Sequence, residues 1–197
     1  MIEQRNYLIH PLYILITLVL GSVTALFLGF SAAYIYSRVQ NGMEPVTIPA
    51  LFFVNALFLV ASSITLIQTK RAYESDLTRR YKWLLWATLI LTLVFLILQI
   101  VAWNQLYQLN VTMTSSTLGA YLYAISGLHF THVIAGIPFL IFFIHDARKR
   151  LQEPASVLVY LSDPDKKRKL TILSIYWHFL DGLWIYLLLF FLINRLL

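Results

Sequence analysis

Five long apolar runs restrict what this sequence can fold into more than any of its other features. A transmembrane helix needs about 20 predominantly apolar residues, because the hydrocarbon core of a bilayer is about 30 Å thick. The runs predict spans at residues 11–36, 49–67, 83–103, 118–144 and 170–193. Only 12% of the 197 residues are charged, whereas a soluble domain has about 25%. We therefore predict a single all-α integral membrane domain over residues 1–197, with five transmembrane helices in a bundle.

Lysine and arginine are distributed unevenly between the two sides of this predicted bundle. The loop at 70–82 carries five of them and the loop at 146–169 carries seven. With Arg5 they place thirteen on one side, and only Arg38 and Arg195 remain on the other. The positive-inside rule then places the N-terminus in the cytoplasm and the C-terminus outside. Membrane topology thus accounts for the net charge of +6, and we expect no nucleic-acid partner.

Two pairs of ionisable residues interrupt the last two spans near their middle. His129 and His132 lie in the fourth span, and His178 and Asp181 lie in the fifth. Such residues are costly at this depth, face protein, and mark a functional site or a buried polar network. Because residues three apart share a helix face, each pair forms one patch. We expect an imidazole N–H to donate a hydrogen bond to the Asp181 carboxylate, in a structural network that holds two helices together.

A bound cofactor is the alternative interpretation of the same four residues. Three histidines and an aspartate could form a zinc or non-haem iron site. His129 and His178 could instead hold haem, as in a membrane-anchor cytochrome b. The sequence has no cysteine, which excludes thiolate ligands and iron–sulfur clusters. A small transporter is less favoured, because only Pro138 interrupts a span and transporters carry paired breaks in their two halves.

The second and third spans contain polar residues that predict hydrogen bonds between helices. Asn55 and Ser62 are seven residues apart and share one face of the second span. Gln99 lies in the third span, on a stripe of polar residues at helical spacing. Polar side chains of this kind commonly join neighbouring transmembrane helices.

The last two spans also carry motifs that resemble those of subunit III of the haem–copper terminal oxidases, the cytochrome c oxidase subunit III family. The first motif is Gly-x-His-x-x-His-Val-x-x-Gly and the second is Tyr-Trp-His-Phe-x-Asp-x-x-Trp, separated by a charged loop. Their positions here are Gly127, His129, His132, Val133 and Gly136, then Tyr176, Trp177, His178, Phe179, Asp181 and Trp184. The stretch from Asn55 to Ser63 and the position of Gln99 also resemble the family.

The resemblance implies an accessory subunit, in the short five-helix bacterial form, of a proton-pumping oxidase that reduces O₂ to water. Such a subunit packs against catalytic subunit I and other oxidase subunits, stabilises the catalytic subunit and supports its proton uptake. The family also holds phospholipid in a cleft, which in a form without the first two helices must be completed by another subunit or be absent. Haem and copper would belong to the partner subunits, so this chain would have no catalytic or metal-binding residue. The implied location is the bacterial inner (plasma) membrane, with a larger respiratory supercomplex as a further level of assembly.

The sequence departs from this family at two positions. Val23 and Thr171 stand where many members have a glutamate. Roles that the family assigns to those carboxylates therefore do not carry over to this chain. Asp181 is then the only acidic residue within any predicted span.

Overall fold

Six α-helices make up the regular structure in the part of the chain described by the computed structural model. The description covers residues 10–196, without the side chains of residues 154 and 155 in the fifth helix, so Arg5 lies outside it. The helices are α1 (Pro11–Asn41), α2 (Leu51–Glu74), α3 (Thr78–Gln108), α4 (Thr117–Arg150), α5 (Pro154–Ser162) and α6 (Pro164–Leu196). All but α5 are long and apolar enough to cross a membrane. The prediction of five transmembrane helices is confirmed.

Each of these five helices is longer than the apolar run that predicted it. For example, α3 begins at Thr78, five residues before the predicted span, and ends at Gln108, five residues after it. The difference arises because hydropathy detects only the residues at hydrocarbon depth, whereas the helical backbone continues into the polar residues beyond them. Two of these helices are capped at the N-terminus by a side-chain hydrogen bond. His10 Nδ1 accepts a hydrogen bond from Leu12 N at the start of α1, and Ser116 Oγ accepts one from Gly119 N at the start of α4.

Helix α5 was not predicted, because its nine residues are too few to give a spanning signal. It begins at a proline, the residue best suited to the first helical turn. Tyr160 is its main buried side chain, and Tyr73 of α2 donates a hydrogen bond to the Tyr160 carbonyl at 2.9 Å. The helix therefore packs on the same end of the bundle as the two basic loops.

Helix α6 lies at the centre of the bundle. It packs against α1, α2, α4 and α5. Half of the residues in its most apolar part are buried, compared with 11% for α1. The buried apolar side chains form two clusters, one towards each end of the bundle, and both include residues of α6. The positions of α1, α2, α4 and α5 therefore depend on the faces of α6 against which they pack.

The crossing of α4 and α6 is close because Gly136 lies at the contact. A Cβ atom at this position would be 2.9 Å from Cζ3 of Trp177 and 3.1 Å from Cε1 of Tyr176. Gly127 lies on the same helix, and nothing lies within 4 Å of a Cβ built there. The two glycines of the first family motif thus have different surroundings, and only Gly136 is needed for close approach.

We expect Gly136→Ala to lower the free energy of unfolding by about 1–3 kcal/mol relative to Gly127→Ala, because the added methyl group overpacks the contact with Trp177. Both changes insert the same group into the same helix, so the difference isolates the packing term. Denaturation in mixed detergent micelles, followed by circular dichroism, measures it. Equal stability of the two variants would contradict this description of the crossing.

Candidate functional site

His129 is enclosed by aromatic side chains in the centre of the bundle. It is fully buried, and its ring centroid lies 4.8 Å from that of Trp184 on α6. Phe95 of α3 meets the imidazole edge to face at 5.9 Å. Neither ring nitrogen has a hydrogen-bond partner among the described residues. His129 therefore contributes to the packing of three helices rather than to a polar contact.

His132 points towards α1 instead of sharing the surroundings of His129. Its Nδ1 lies 2.7 Å from the Leu128 carbonyl oxygen of its own helix. Its ring lies 6.0 Å from that of Phe27 on α1. The backbone carbonyl of His132 accepts a hydrogen bond from the Tyr176 hydroxyl at 2.8 Å. This residue thus joins α4 to both α1 and α6.

His178 makes its contacts with two serines. Its Nδ1 lies 2.6 Å from Ser63 Oγ on α2, and its Nε2 lies 3.0 Å from Ser174 Oγ, one turn earlier on α6. A neutral imidazole has one N–H donor and one acceptor nitrogen. One serine therefore donates to the ring and the other accepts from it, and the tautomer of His178 determines which is which.

Asp181 is 5% exposed and accepts no hydrogen bond from the described residues. The predicted bond from an imidazole N–H to this carboxylate is therefore wrong. Residues three apart on a helix differ by about 60° in direction, and the ring nitrogens of His178 lie against serine hydroxyls on α2 and α6, not against the carboxylate. His129, the other expected partner, is held between two aromatic rings. The four residues are all within the bundle, but they do not form one hydrogen-bonded network.

The polar residues of α2 and α3 make direct contacts between helices. Asn55 Nδ2 donates to Gln99 Oε1 at 3.0 Å, joining α2 to α3. Ser62 Oγ accepts from Trp177 Nε1 at 3.2 Å, joining α2 to α6. Asn55, Ser62 and Gln99 are fully buried. Their spacing in the sequence indicated helix contacts, and the structure identifies the partners.

A charged cluster at the basic end of the bundle was missed by the sequence analysis, which counted its lysine and arginine only as loop charges and assigned no role to Asp146. Lys166 of α6 forms an ion pair with Asp146 of α4, and both side chains are almost fully buried. Arg150 Nε also lies 2.9 Å from Asp146. The Lys166 ammonium lies 5.5 Å from the centre of the Tyr160 ring, and burial raises the pKa of Tyr160 to about 12. The Asp146 carboxylate therefore joins α4 to α6 next to α5.

These surroundings do not fit either cofactor that the sequence left open. The ring of His129 is packed between Trp184 and Phe95, and both nitrogens of His178 lie against serine hydroxyls. The two imidazoles therefore cannot serve as opposed haem ligands without rearrangement. Within residues 10–196, no three His, Asp or Glu side chains converge as a metal site would require. The chemistry that this arrangement supports is the association of helices.

We expect the bond between Asn55 and Gln99 to appear as a coupling free energy of about 0.6 kcal/mol, and of at most about 1.7 kcal/mol, the range found for hydrogen bonds between transmembrane helices. The measurement is a double-mutant cycle of Asn55→Leu and Gln99→Leu in micelle unfolding. Thr92 provides the control, because it is buried on α3 about 10 Å along the axis from Gln99 and bonds its own helix. A coupling no larger than that of Asn55→Leu with Thr92→Val would contradict the contact.

Comparison with known proteins identifies the same family from a family model and from individual relatives. A family model described as cytochrome c oxidase subunit III matches residues 12–194. Cytochrome c oxidase subunit 3 of Bacillus subtilis is 27% identical over 176 residues, which is 86% of this chain and 80% of the relative. The subunit 3 of Alkalihalophilus pseudofirmus is 25% identical over 175 residues, 85% of this chain and 79% of that protein. The predicted resemblance to this family is thus confirmed, and over nearly the whole sequence the chain belongs to the cytochrome c oxidase subunit III family.

Proposed function

We propose that this chain is an accessory subunit of a proton-pumping haem–copper oxidase and has no redox centre of its own. The observation that carries the proposal is the match to the subunit III family over residues 12–194. The surroundings of His129 and His178 support it, since aromatic rings and serines surround the imidazoles that a haem protein would use. Haem and copper then reside in the partner subunits, and the catalytic subunit reduces O₂.

The role that we assign to the chain is to pack against catalytic subunit I, stabilise it and support its proton uptake. Buried contacts between helices make the chain a well-defined packing partner, because Asn55, Ser62 and Gln99 hold α2, α3 and α6 together. The chain thereby joins other oxidase subunits and a larger respiratory supercomplex. Phospholipid occupies the apolar groove between α1, α4 and α6, whose residues include Leu15 and Phe139.

The proposed location is the plasma membrane of a bacterium, with the N-terminus in the cytoplasm. Among the described residues, twelve lysines and arginines lie at the end of the bundle that holds α5, and Arg38 and Arg195 lie at the other. Contacts across the basic end bring its loops together, since Lys167 Nζ lies 3.1 Å from Glu74 and Lys82 Nζ donates to the Leu151 carbonyl. The positive-inside rule assigns this end to the cytoplasm.

Purification with and without partner subunits tests the assignment to an oxidase. We expect the affinity-tagged chain to bring haem and copper proteins with it in mild detergent, and to show no Soret absorbance when it is produced alone. The alternative function, a membrane-anchor cytochrome b, predicts a Soret band in the chain alone that disappears in His178→Ala. The exposed His145 provides the control, because His145→Ala should leave the spectrum unchanged under either function.

The proposed orientation can be tested with single cysteines, because the chain has none of its own. Ser75 lies between α2 and α3 at the basic end, and Thr114 lies between α3 and α4 at the opposite end; both are exposed. We expect a membrane-impermeant maleimide to label Thr114→Cys in spheroplasts and Ser75→Cys only after lysis. The reverse pattern would overturn the orientation while leaving the five helices unaffected.

A further inference from the structure

A groove between α3 and α4 at the basic end of the bundle combines cations with exposed tryptophans. Arg79, Lys82 and Arg148 supply the charges, and Trp83 and Trp86 form much of the wall. No aspartate or glutamate lines the groove, and none of its three cations forms an ion pair with a described residue. Its volume of about 620 Å³ lies within the range of small-molecule sites. We call it the basic groove.

We propose that the basic groove binds the headgroup of an anionic phospholipid from the adjacent leaflet. Arg79 and Lys82 are three apart and so lie on one face of α3, and Arg148 approaches from α4. The guanidinium of Arg148 lies 5.7 Å from the centre of the Trp86 ring. A cation held over an aromatic ring in this way keeps a defined position. Guanidinium groups bind phosphate oxygens through paired hydrogen bonds.

The order of charged and apolar residues along the groove favours a lipid over a soluble anion as its ligand. The charged residues are at its outer end, and Ile90, which is 55% exposed, lies two turns further along α3 towards the centre of the membrane. Tryptophans at the start of an apolar span are typical of the membrane interface. A ligand with a phosphate at one end and acyl chains at the other matches this order. Basic pockets between transmembrane helices on the cytoplasmic side bind lipid headgroups in the same manner.

The basic groove is separate from the apolar groove between α1, α4 and α6. That groove is lined almost wholly by apolar side chains, with Lys169 as its only charged residue. The lipid site in the basic groove does not depend on membership of an oxidase, because it rests only on residues of α3 and α4. Failure of the test below would therefore leave the proposed function intact.

Quenching of tryptophan fluorescence by brominated lipid tests this proposal directly. Trp83 and Trp86 are the most exposed of the five tryptophans. The full chain is reconstituted in phosphatidylcholine vesicles that contain a small fraction of either brominated phosphatidylglycerol or brominated phosphatidylcholine. We expect brominated phosphatidylglycerol to quench at a lower mole fraction. Replacement of Trp83 and Trp86 by phenylalanine should remove the difference between the two lipids.

Charge substitutions then identify the residues that recognise the headgroup. We expect Arg79→Gln and Arg148→Gln each to lower the relative association constant for phosphatidylglycerol by about fivefold, the effect of one cation near an anionic membrane surface. Arg148→Lys keeps the charge but loses the paired hydrogen bonds of the guanidinium, so it should retain only part of the preference. The matched control removes two cations of the same end that lie outside both grooves, Arg71→Gln and Lys149→Gln, and should change the preference much less.

Three outcomes would overturn the proposal. Equal quenching by the two brominated lipids would show that the groove does not select an anionic headgroup, and would leave an acidic segment of a partner protein as the candidate occupant. An equal loss in the control variant would attribute the preference to the general charge of this surface. Abolition of the preference by millimolar inorganic phosphate, but not by equimolar chloride, would show that the groove binds soluble phosphate.

Discussion

The indole of Trp184 brings four of the spanning helices into contact. It stacks on Phe52 of α2 at 5.7 Å, meets Phe95 of α3 edge to face at 5.4 Å and lies against His129 of α4 at 4.8 Å. Within a bilayer, burial of apolar surface does not drive helices together, because lipid is as apolar as the core. Shape and aromatic geometry must supply the attraction, and offset or edge-to-face pairs contribute about 0.5–1.5 kcal/mol each beyond their area. The bundle is organised around this side chain.

Hydrogen bonds add direction to that packing. The pairs Asn55–Gln99 and Ser62–Trp177 connect α2 to its two neighbours, and His178 approaches α2 through Ser63. Each of these contacts prevents a helix from rotating freely about its axis, which aromatic packing alone does not do. At the basic end the Asp146–Lys166 ion pair has the same effect on α4 and α6. These polar residues thus set the rotation of the helices that they join.

Most of the fold and about half of the candidate site could be predicted from the sequence. Five spans follow from hydropathy alone, because bilayer thickness determines the length of an apolar run. That Asn55, Ser62 and Gln99 form hydrogen bonds between helices could also be predicted, because an unpaired polar group in lipid costs free energy. The serine contacts of His178, and the lack of a hydrogen bond to Asp181 among the described residues, do not follow, because a spacing of three residues defines a face only to within about 60°. The residues that this face of α6 contacts depend on the positions of Trp184 and Ser63, and the packing of the whole bundle determines those positions. Helix α5 lies outside the long apolar runs, and its nine residues are too few to give a spanning signal.

The central place of α6 has a consequence for biosynthesis. This helix follows all the other described helices along the chain, yet α1, α2 and α4 each pack against it. As the polypeptide leaves the ribosome, the earlier helices enter the membrane before their common partner exists. Until α6 is inserted, the polar side chains that will contact it contact lipid, the insertion machinery or one another instead. Ser62 and Ser63 are among these side chains. Association of these helices is therefore completed only after α6 has been inserted, and a nascent chain stalled before α6 would expose these groups to membrane quality control.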